Sequence, residues 1–278
     1  MALVNGTGLL QDAKRRKYAV PQFNVLNLEM VEAVIAAAES LRAPVIVGLV
    51  DRHFPVLDIE NLVHAVKRRA DRATVPVVLH LDHGRTWERA IEALRLGFTS
   101  IMYDGSLLPI EDNIATTRDI VKVAHAANVS VEAELGHVGS AKAGDGNEVT
   151  STDEAEYFAE RTGVDYLAIS IGNTHGHYRD GGPTFRLDVL QEINRKVEIP
   201  LVLHGGSETP LAEIHSVIDN GIAKINIFTE FARAYLEGLA QLAQSDGIDY
   251  LNVAASGKER AHTAAARRLE DFRAAGQV

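Results

Sequence analysis

Strand-like and helix-like patterns alternate along the whole chain, and this alternation limits the folds that the chain can adopt. Each short apolar run is followed by a stretch in which apolar residues recur at helical spacing. The runs predicted as strands are, in chain order, 18–25, 45–50, 77–82, 100–104, 130–135, 166–171, 201–204 and 223–228. Eight strands that alternate with helices favour a closed barrel over a doubly wound sheet. The sequence therefore predicts an α/β protein, a (β/α)₈ TIM barrel with extra terminal helices.

The length and composition of the chain fit a single barrel. A chain of 278 residues is a natural size for a fold that takes roughly 250 residues plus extensions. Hydrophobic residues make up 46% of the chain, which is enough for a sizeable core. The sequence has no linker and no low-complexity tract, so we expect one domain over residues 1–278.

Charge, cysteine content and the length of apolar runs exclude several classes of protein. The formal net charge of −10 argues against a nucleic-acid partner, because such proteins need a basic surface to displace counterions. No stretch approaches the roughly 20 apolar residues that span a bilayer, and no signal pattern opens the chain. We therefore expect no membrane partner and a cytoplasmic location. The chain has no cysteine, so any metal must be bound by histidines and carboxylates.

Polar residues interrupt the predicted strands near their carboxyl ends, where barrel enzymes assemble their active sites. They are Asp82 and His83 after the third strand, Asp104 after the fourth, Glu132 and Glu134 in the fifth, His175 after the sixth, His204 at the end of the seventh, and Asn226 in the eighth. A single histidine in such a place is more often a hydrogen-bonded core residue. Three of them, each beside a glycine, favour a metal site. Three imidazoles that leave one coordination position open are typical of catalytic zinc.

Two segments after the last strands have two possible readings. Residues 205–207 are Gly-Gly-Ser, and residues 226–229 end the eighth strand. Barrel enzymes often bind phosphate with backbone N–H groups from these loops, aided by a helix N-terminus. A tight turn followed by a helix N-cap at Thr229 explains the same residues. The residue pattern alone leaves both readings open.

Six motifs together resemble a known family. They are HLDHG (80–84), YDGS (103–106), EAELG (132–136), IGNTHG (171–176), LHGGS (203–207) and KINIFTE (224–230). In this combination and order the chain resembles the class II, zinc-dependent ketose-bisphosphate aldolases, and within them the fructose-1,6- and tagatose-1,6-bisphosphate branch. The resemblance spans roughly residues 18–235. It implies an aldehyde-lyase of carbohydrate metabolism that reversibly cleaves a ketose (bis)phosphate to dihydroxyacetone phosphate and an aldehyde.

The resemblance also implies roles for particular residues. Asp82 matches the acid/base that moves the hydroxyl proton. The implied ligands of one catalytic Zn²⁺ are His83, His175 and His204. The carboxylates implied to lie near the metal, where they can hold a second divalent or a monovalent cation, are Asp104 and Glu134. The implied substrate-binding residues are Gly176, Gly205, Gly206, Ser207, Asn226, Ile227, Phe228 and Thr229. By analogy with the family, and from apolar positions on the terminal helices, we expect a homodimer or homotetramer.

The chemistry of the reaction agrees with these roles. Cleavage leaves negative charge on an enediolate, which a divalent metal stabilises as a Lewis acid. The proton of the C4 hydroxyl needs a nearby acid/base, and an Asp beside a metal ligand supplies one. No Schiff base is then required. We expect a structural role for Lys224, the one inner-strand lysine that could form one.

Several positions depart from the family pattern. The family has a glutamate soon after the fifth strand, in a region that we expect to form a mobile loop over residues 136–150, but residues 139–142 contain no acid. Glu148 or Asp145 could take its place. Other departures surround the expected aldehyde pocket, at Tyr103, Glu208 and Phe228. The C4 stereochemistry and the presence of a second phosphate therefore stay open. Candidate cations for that phosphate, each of which could instead be a surface charge, are Arg85, Arg179, Arg267, Arg268 and Arg273.

Three alternatives remain. The first is an aldolase for a different ketose phosphate. The second is a metal-dependent hydrolase, although such barrels carry an HxH pair on the first strand, and the pair here is His175-x-His177, after the sixth. The third is a catalytically silent barrel that supports a partner aldolase.

Overall fold

A computed structural model of the chain describes residues 3–139, 148–176, 183–243 and 249–278. Within these ranges, eight parallel strands form a closed barrel in which each strand pairs with the next and β8 pairs with β1. The strands are β1 Val20–Asn24, β2 Val45–Val50, β3 Val77–Gly84, β4 Ser100–Tyr103, β5 Ser130–Leu135, β6 Tyr166–Ile169, β7 Leu201–Leu203 and β8 Ile222–Ile227. The predicted (β/α)₈ barrel is confirmed.

Ten α-helices lie within the described ranges. They are α1 Thr7–Arg16, α2 Leu28–Ser40, α3 Ile59–Ala70, α4 Trp87–Leu96, α5 Ile110–Ala126, α6 Thr152–Thr162, α7 Leu187–Lys196, α8 Leu211–Asp219, α9 Thr229–Ala243 and α10 Tyr250–Asp271. A short 3₁₀ helix, Asp51–His53, follows β2. None of the helices in the described ranges is long and apolar enough to cross a membrane.

The strands end close to the predicted positions, with small differences that have local causes. β6 ends at Ile169 rather than at residue 171, because the next backbone groups bond to side chains instead of to the sheet. The Ser170 N–H donates to Thr150 Oγ1 (2.8 Å), and the Ile171 N–H donates to Asn173 Oδ1 (2.8 Å). A backbone group that is satisfied by a side chain no longer needs a ladder partner. The chain leaves the sheet at that point.

The N-terminal segment forms a helix that the sequence reading did not predict. α1 buries Leu10 and Ala13, and the segment before it pairs with the start of β3 through the Val4 N–H and the Val77 carbonyl (2.9 Å). From α1, Lys14 donates to the carbonyls of residues 197–199 at 2.9–3.0 Å, just before β7. Because these contacts lie at the amino ends of β3 and β7, α1 lies at the end of the barrel opposite the predicted site.

The two faces of each strand differ in chemistry. Side chains alternate between the helix layer and the barrel interior, and Phe23 of β1 packs against Phe231 of α9 with ring centroids 5.2 Å apart. Phe23 therefore faces the helices, and its neighbours on both sides, Gln22 and Asn24, face the interior. The interior side chains of the other strands include many polar ones, among them His80, Asp82, Ser100, Glu132, Tyr166 and Lys224, all buried. Barrel interiors are usually filled by branched apolar residues.

Candidate active site

A cavity of about 780 Å³ opens at the carboxyl ends of the strands. Most of the residues predicted for the site lie on its wall: Asp82, His83, Asp104, Glu134, His175, Gly176, Gly205, Ser207, Asn226, Phe228 and Thr229. They come from six different strands or the loops that follow them, which is how parallel barrels bring distant sequence positions together. His204 lies directly beneath the wall, with its ring fully buried.

The three predicted metal-binding histidines lie together. Their ring centroids are 4.6 Å apart for His83 and His204, 5.0 Å for His83 and His175, and 5.7 Å for His175 and His204. One nitrogen from each ring lies within 4.8 Å of the other two. His83 lies within a break in the β3–β4 register, between Leu81 and Gly84, and has a φ of 53°, in the left-handed region that a residue with a side chain seldom occupies. Backbone strain of this kind concentrates at functional sites.

The two predicted carboxylates form a second group that shares His83. Asp104 Oδ2 lies 2.9 Å from His83 Nδ1, and Glu134 Oε2 lies 3.8 Å from the same nitrogen. Ligand atoms of these three residues also lie within 4.8 Å of one another. Asp104 is held in turn by the hydroxyl of Ser106, which donates to Asp104 Oδ1 (2.6 Å). Two adjoining sets of potential ligands therefore meet at His83.

Two buried atoms in these sets have no hydrogen-bond partner in the described part of the chain: His175 Nε2 and Glu134 Oε2. Leaving a buried polar atom unpaired is costly, so such an atom at a cavity wall calls for a ligand. The segment after β5 holds the backbone of His175 in place, since the His175 N–H donates to the Gly139 carbonyl (2.9 Å). Imidazoles and carboxylates without thiolates suit a catalytic zinc site. The donor set therefore fits a divalent metal.

The negative charges around His83 favour the protonated form of its ring. Burial by itself disfavours the charged ring, but Asp82, the hydrogen bond to Asp104 and the nearby Glu134 outweigh burial and raise the pKa of His83 to about 10. The protonated ring can donate to Asp104 from Nδ1 and to His204 Nδ1 from Nε2 (2.9 Å). A metal bound by both rings has to displace that shared proton. Burial, together with Asp104, raises the pKa of Glu134 to about 8.

Asp82 is held by two side-chain amides. Asn24 donates to Asp82 Oδ2 (2.7 Å) and Asn226 donates to Oδ1 (3.1 Å). Burial opposes ionisation of this carboxyl, but the charges of His83, His204 and Lys224 outweigh burial and hold its pKa well below the usual range. The Asn24 amide has room because residue 48 is a glycine: a Cβ there would lie 2.2 Å from Asn24 Oδ1. The carboxylate therefore has one orientation, toward the cavity.

The two candidate phosphate segments lie side by side. Ser207 Oγ accepts a hydrogen bond from the Phe228 N–H (3.2 Å), and α9 begins at Thr229, so N–H groups of its first turn are available at the wall. Gly205 has a φ of 68°, and a Cβ at this position would lie 2.1 Å from the Thr174 carbonyl oxygen. Glycine is needed there because the loops after β6 and β7 touch.

Two predicted substrate-binding residues are not on the wall. Ile227 is fully buried in the core, and the Gly206 N–H donates to the Asn226 carbonyl (3.1 Å). The side chain of Ile227 points away from the interior, because it alternates with that of Asn226. The described structure therefore leaves only backbone atoms of these two residues for any role near a ligand.

Of the three departures expected around the aldehyde pocket, Tyr103, Glu208 and Phe228, only Phe228 lies on the cavity wall. Tyr103 is buried in the core, and Glu208 pairs with Arg233. The Arg52 guanidinium lies over the Phe228 ring at 6.0 Å from its centroid. Glu148 is exposed, and its N–H donates to the His137 carbonyl (3.1 Å).

The candidate phosphate cations differ in their surroundings. Arg85 lies on the cavity wall with Nε 3.9 Å from Asp104 Oδ2. Arg268 is buried and bonds both oxygens of Glu230 (2.5 and 2.7 Å), and Arg273 pairs with Asp219 (2.6 Å). Arg267 is exposed, with Nε 3.7 Å from Asp271 Oδ2. The other predicted residues of this region, Asp145, Arg179 and His177, lie outside the described residues, as does most of the loop over residues 136–150.

The sequence did not predict Asn24 or Arg52 as site residues, and it predicted only a structural role for Lys224. Asn24 holds Asp82, Arg52 lines the wall, and Lys224 pairs with Glu132 beneath the histidines (2.7 Å). Asn24 could have been found, since it is a polar residue at the carboxyl end of the first predicted strand. Arg52 gave no such signal, because a charged residue in a loop is ordinarily a surface residue.

Comparisons with known proteins agree with this geometry. A family model described as fructose-bisphosphate aldolase class-II matches residues 4–277. The chain is 39% identical to 6-phospho-5-dehydro-2-deoxy-D-gluconate aldolase of Halalkalibacterium halodurans, over 100% of this chain and 99% of that protein. It is 37% identical to fructose-bisphosphate aldolase of Geobacillus stearothermophilus, with the same coverage of each. The crystal structure of the YdjI aldolase from Escherichia coli K12 superposes with a TM-score of 0.90, at 34% identity and 99% coverage of both chains. The chain belongs to the class-II fructose-bisphosphate aldolase family.

Proposed function

We propose that this protein is a zinc-dependent aldolase that reversibly cleaves a ketose phosphate to dihydroxyacetone phosphate and an aldehyde. The observation that carries the proposal is the meeting of three histidine ligand atoms within 4.8 Å of one another, beside a carboxylate held by two amides. Membership of the family supports the reaction class. The named relatives act, by their names, on phosphorylated sugars or sugar acids.

The metal ligands in this proposal are His83, His175 and His204. When bound there, Zn²⁺ supplies Lewis-acid chemistry that stabilises the negative charge of the enediolate. The unpaired Nε2 of His175 supports this assignment. Asp104 and Glu134 form the neighbouring group, which suits a second or displaced cation and otherwise orients His83 through Nδ1.

Asp82 is the proposed acid/base at the C4 hydroxyl. Its two oxygens each accept one amide N–H, and a carboxylate oxygen has a second lone pair, so each keeps capacity to accept a proton. Because the amides prevent rotation of the carboxylate, the distance between the base and the hydroxyl varies little. A fixed distance of this kind is what general-base catalysis needs.

The phosphate of dihydroxyacetone phosphate is proposed to bind the loops after β6, β7 and β8. The wall residues that would surround it are Gly176, Gly205, Ser207, Asn226, Phe228 and Thr229, with Gly206 and Ile227 contributing backbone atoms only. The start of α9 favours an anion, since the first N–H groups of a helix are unpaired and the helix dipole is positive there. This placement puts the triose phosphate beside the three histidines.

The other half of the substrate is proposed to carry a second anionic group. Arg52 and Arg85 lie on the wall, and neither has a carboxylate oxygen within 3.5 Å in the described structure. By contrast, Arg89 and Arg233, which also line the cavity, form close ion pairs with Asp51 and Glu208. Two guanidinium groups with no close carboxylate among the described residues suit a phosphate or a carboxylate. Fructose-1,6-bisphosphate and tagatose-1,6-bisphosphate both meet this requirement, and so does a phosphorylated keto sugar acid.

We further propose that residues 1–278 form one domain, that the protein is cytoplasmic, and that it is a homodimer or homotetramer. Exposed apolar side chains on α9 and α10, Leu236, Tyr250 and Leu251, support an assembly. Sedimentation at several protein concentrations measures the assembly state. A monomer at every concentration would remove this part of the proposal.

A panel of ketose mono- and bisphosphates, assayed for release of triose phosphate, tests the function. We expect cleavage of at least one bisphosphate or phosphorylated keto acid and little cleavage of neutral-ended analogues. The wild-type protein is assayed with bound metal measured in the same sample. A protein that holds zinc and cleaves none of the panel would point to another ketose phosphate or to hydrolysis. A metal-free, inactive protein would favour the alternative of a catalytically silent barrel that supports a partner aldolase.

A further inference from the structure

A buried ion pair lies beneath the three histidines. Lys224 of β8 and Glu132 of β5 are both fully buried, with Lys224 Nζ 2.7 Å from Glu132 Oε2. They occupy interior positions that barrels usually fill with valine, isoleucine or leucine. A buried pair of this kind seldom stabilises a fold more than apolar residues of the same volume would. Its presence therefore calls for a reason other than stability.

The lysine makes a second contact on its other side. Lys224 Nζ donates to Asn226 Oδ1 (2.8 Å), so one ammonium group forms an ion pair with a carboxylate and a hydrogen bond with an amide. Three donors on a single nitrogen allow this bridge. Glu132 and Asn226 each continue toward a different part of the site. Lys224 is therefore the point where two chains of contacts meet, one that begins with the ion pair to Glu132 and one that begins with the hydrogen bond to Asn226.

The first chain of contacts runs from Lys224 through Glu132 to His204, a proposed metal ligand. Glu132 Oε1 lies 2.8 Å from His204 Nε2. Glu132 Oε2 is paired with the Lys224 ammonium, so the carboxylate presents Oε1 to the ring as an acceptor. His204 must then carry its proton on Nε2 and direct the lone pair of Nδ1 toward His83 and the cavity. Partners of this kind fix the ring orientation of metal-binding histidines.

The second chain of hydrogen bonds leads to the proposed acid/base. An asparagine side chain has one acceptor and one donor group, and their positions exchange if the amide rotates by half a turn. Because Lys224 can only donate, it holds Oδ1 of Asn226 toward itself. Nδ2 of Asn226 therefore faces Asp82 Oδ1 (3.1 Å). Without the lysine, the amide could present its oxygen to the carboxylate and repel it.

We propose that Lys224 is a positioning residue that orients the metal ligand His204 and the acid/base Asp82 at the same time, through Glu132 and Asn226. The inference rests on the proposed function of these two residues. It assigns Lys224 no contact with the substrate. The lysine acts on the relative geometry of the two groups, which come from different strands and have no direct hydrogen bond to each other in the described structure.

The test replaces Lys224 with methionine, which keeps the length of the side chain and removes its charge. We expect Lys224→Met to bind Co²⁺ about 10- to 100-fold more weakly than the wild type and to shift the visible absorption of the bound Co²⁺. With saturating metal, kcat should fall by a larger factor than KM rises. The matched control is Lys14→Met, which removes a partly buried lysine with three carbonyl partners at the opposite end of the barrel. The control should lose stability only.

In Lys224→Met the buried carboxylate of Glu132 loses its ion-pair partner, and this unpaired charge could prevent folding. A second variant therefore removes both charges. Lys224→Met with Glu132→Gln should fold and should still show weak Co²⁺ binding and the shifted spectrum. Unchanged Co²⁺ affinity and spectrum in either variant, with only a lower melting temperature, would show that the pair is merely structural. A measurement on the wild type needs no variant: ¹⁵N NMR of the histidines should find the proton of His204 on Nε2, and a proton on Nδ1 would overturn the inference.

The two proposals fail in different ways. If the protein is not an aldolase, the wild type will cleave no ketose phosphate, while the Co²⁺ and NMR measurements still report on Lys224. If Lys224 does not position the site, the wild type will be active and the variants will retain the wild-type spectrum and affinity.

Discussion

The inner and outer faces of the same strands follow different rules. On β3, the outward side chains of Val77, Leu79 and Leu81 are apolar and pack against helices, whereas the inward side chains of His80 and Asp82 are polar. The outer layer is held by burial of apolar surface, which has no preferred direction. The interior is held by hydrogen bonds between named atoms, each with a required donor and acceptor. The outer face therefore stabilises the barrel, while the inner face determines what the barrel can do.

This difference predicts how each face responds to substitution. Apolar layers accept changes that preserve volume, with modest losses of stability. A buried polar network loses much more when one member is removed, because its partners are left unsatisfied. Substitutions inside the barrel should therefore affect metal binding and catalysis, and substitutions outside should affect the free energy of unfolding.

The largest expected effect comes from removing the metal. Treatment with a chelator should abolish cleavage, and added Zn²⁺ or Co²⁺ should restore it, because the enediolate charge then has no other Lewis acid. The same effect is expected of His204→Ala, which should lose both metal and turnover. Release of triose phosphate and metal content are measured together. Full activity of the metal-free protein would contradict the assignment of the histidines.

A somewhat smaller effect is expected at Asp82. Asp82→Ala should lower kcat by about 10²- to 10⁴-fold, the usual contribution of a positioned acid/base. It should keep its zinc, since Asp82 belongs to neither group of potential ligands. Single-turnover kinetics and metal analysis separate the two effects. Normal turnover of this variant would move the proton transfer to another residue.

A substitution on the outer face should behave in the opposite way. Leu79 is fully buried in the core, and Leu79→Ala should lower the free energy of unfolding by about 2–5 kcal/mol. Leu79→Met, the matched control, should cost less than about 1.5 kcal/mol. Urea titration measures both. The kcat of the folded fraction should stay near the wild-type value, and a large drop would show that the two faces are not independent.

The smallest expected effect concerns Arg52. Arg52→Gln should lower kcat/KM about 10- to 100-fold for substrates whose aldehyde half ends in phosphate or carboxylate, the loss expected for one charged hydrogen-bonding group. Cleavage of neutral-ended ketose phosphates should change little. Arg89→Gln is the control, because that guanidinium lines the same cavity but is paired with Asp51 (2.6 Å). Equal losses for charged and neutral substrates would remove Arg52 from substrate recognition.

Much of the site could be predicted because its signals are local. Each of His83, His175 and His204 follows an apolar run and stands beside a glycine, and a reader of the sequence needs only the strand ends to place them on one rim. The same rule could have found Asn24. The rule could not predict α1. The amphipathic pattern of this helix is short, and the surface on which it packs is the end of the barrel, which exists only after the barrel has closed.

Sequence alone determined the alternation of strands and helices, the closed barrel and the histidine and carboxylate candidates, because periodicity and chain order encode them. Only the tertiary structure decided which groups pair across the interior. Lys224 and Glu132 are far apart in the chain, and closure of the barrel brings their charged atoms to 2.7 Å. The packing of α10 against α9 likewise pairs Arg268 with Glu230, and the folded chain leaves Arg52 beside the cavity. Such pairings depend on distances between elements that are far apart in the chain, which no stretch of sequence contains.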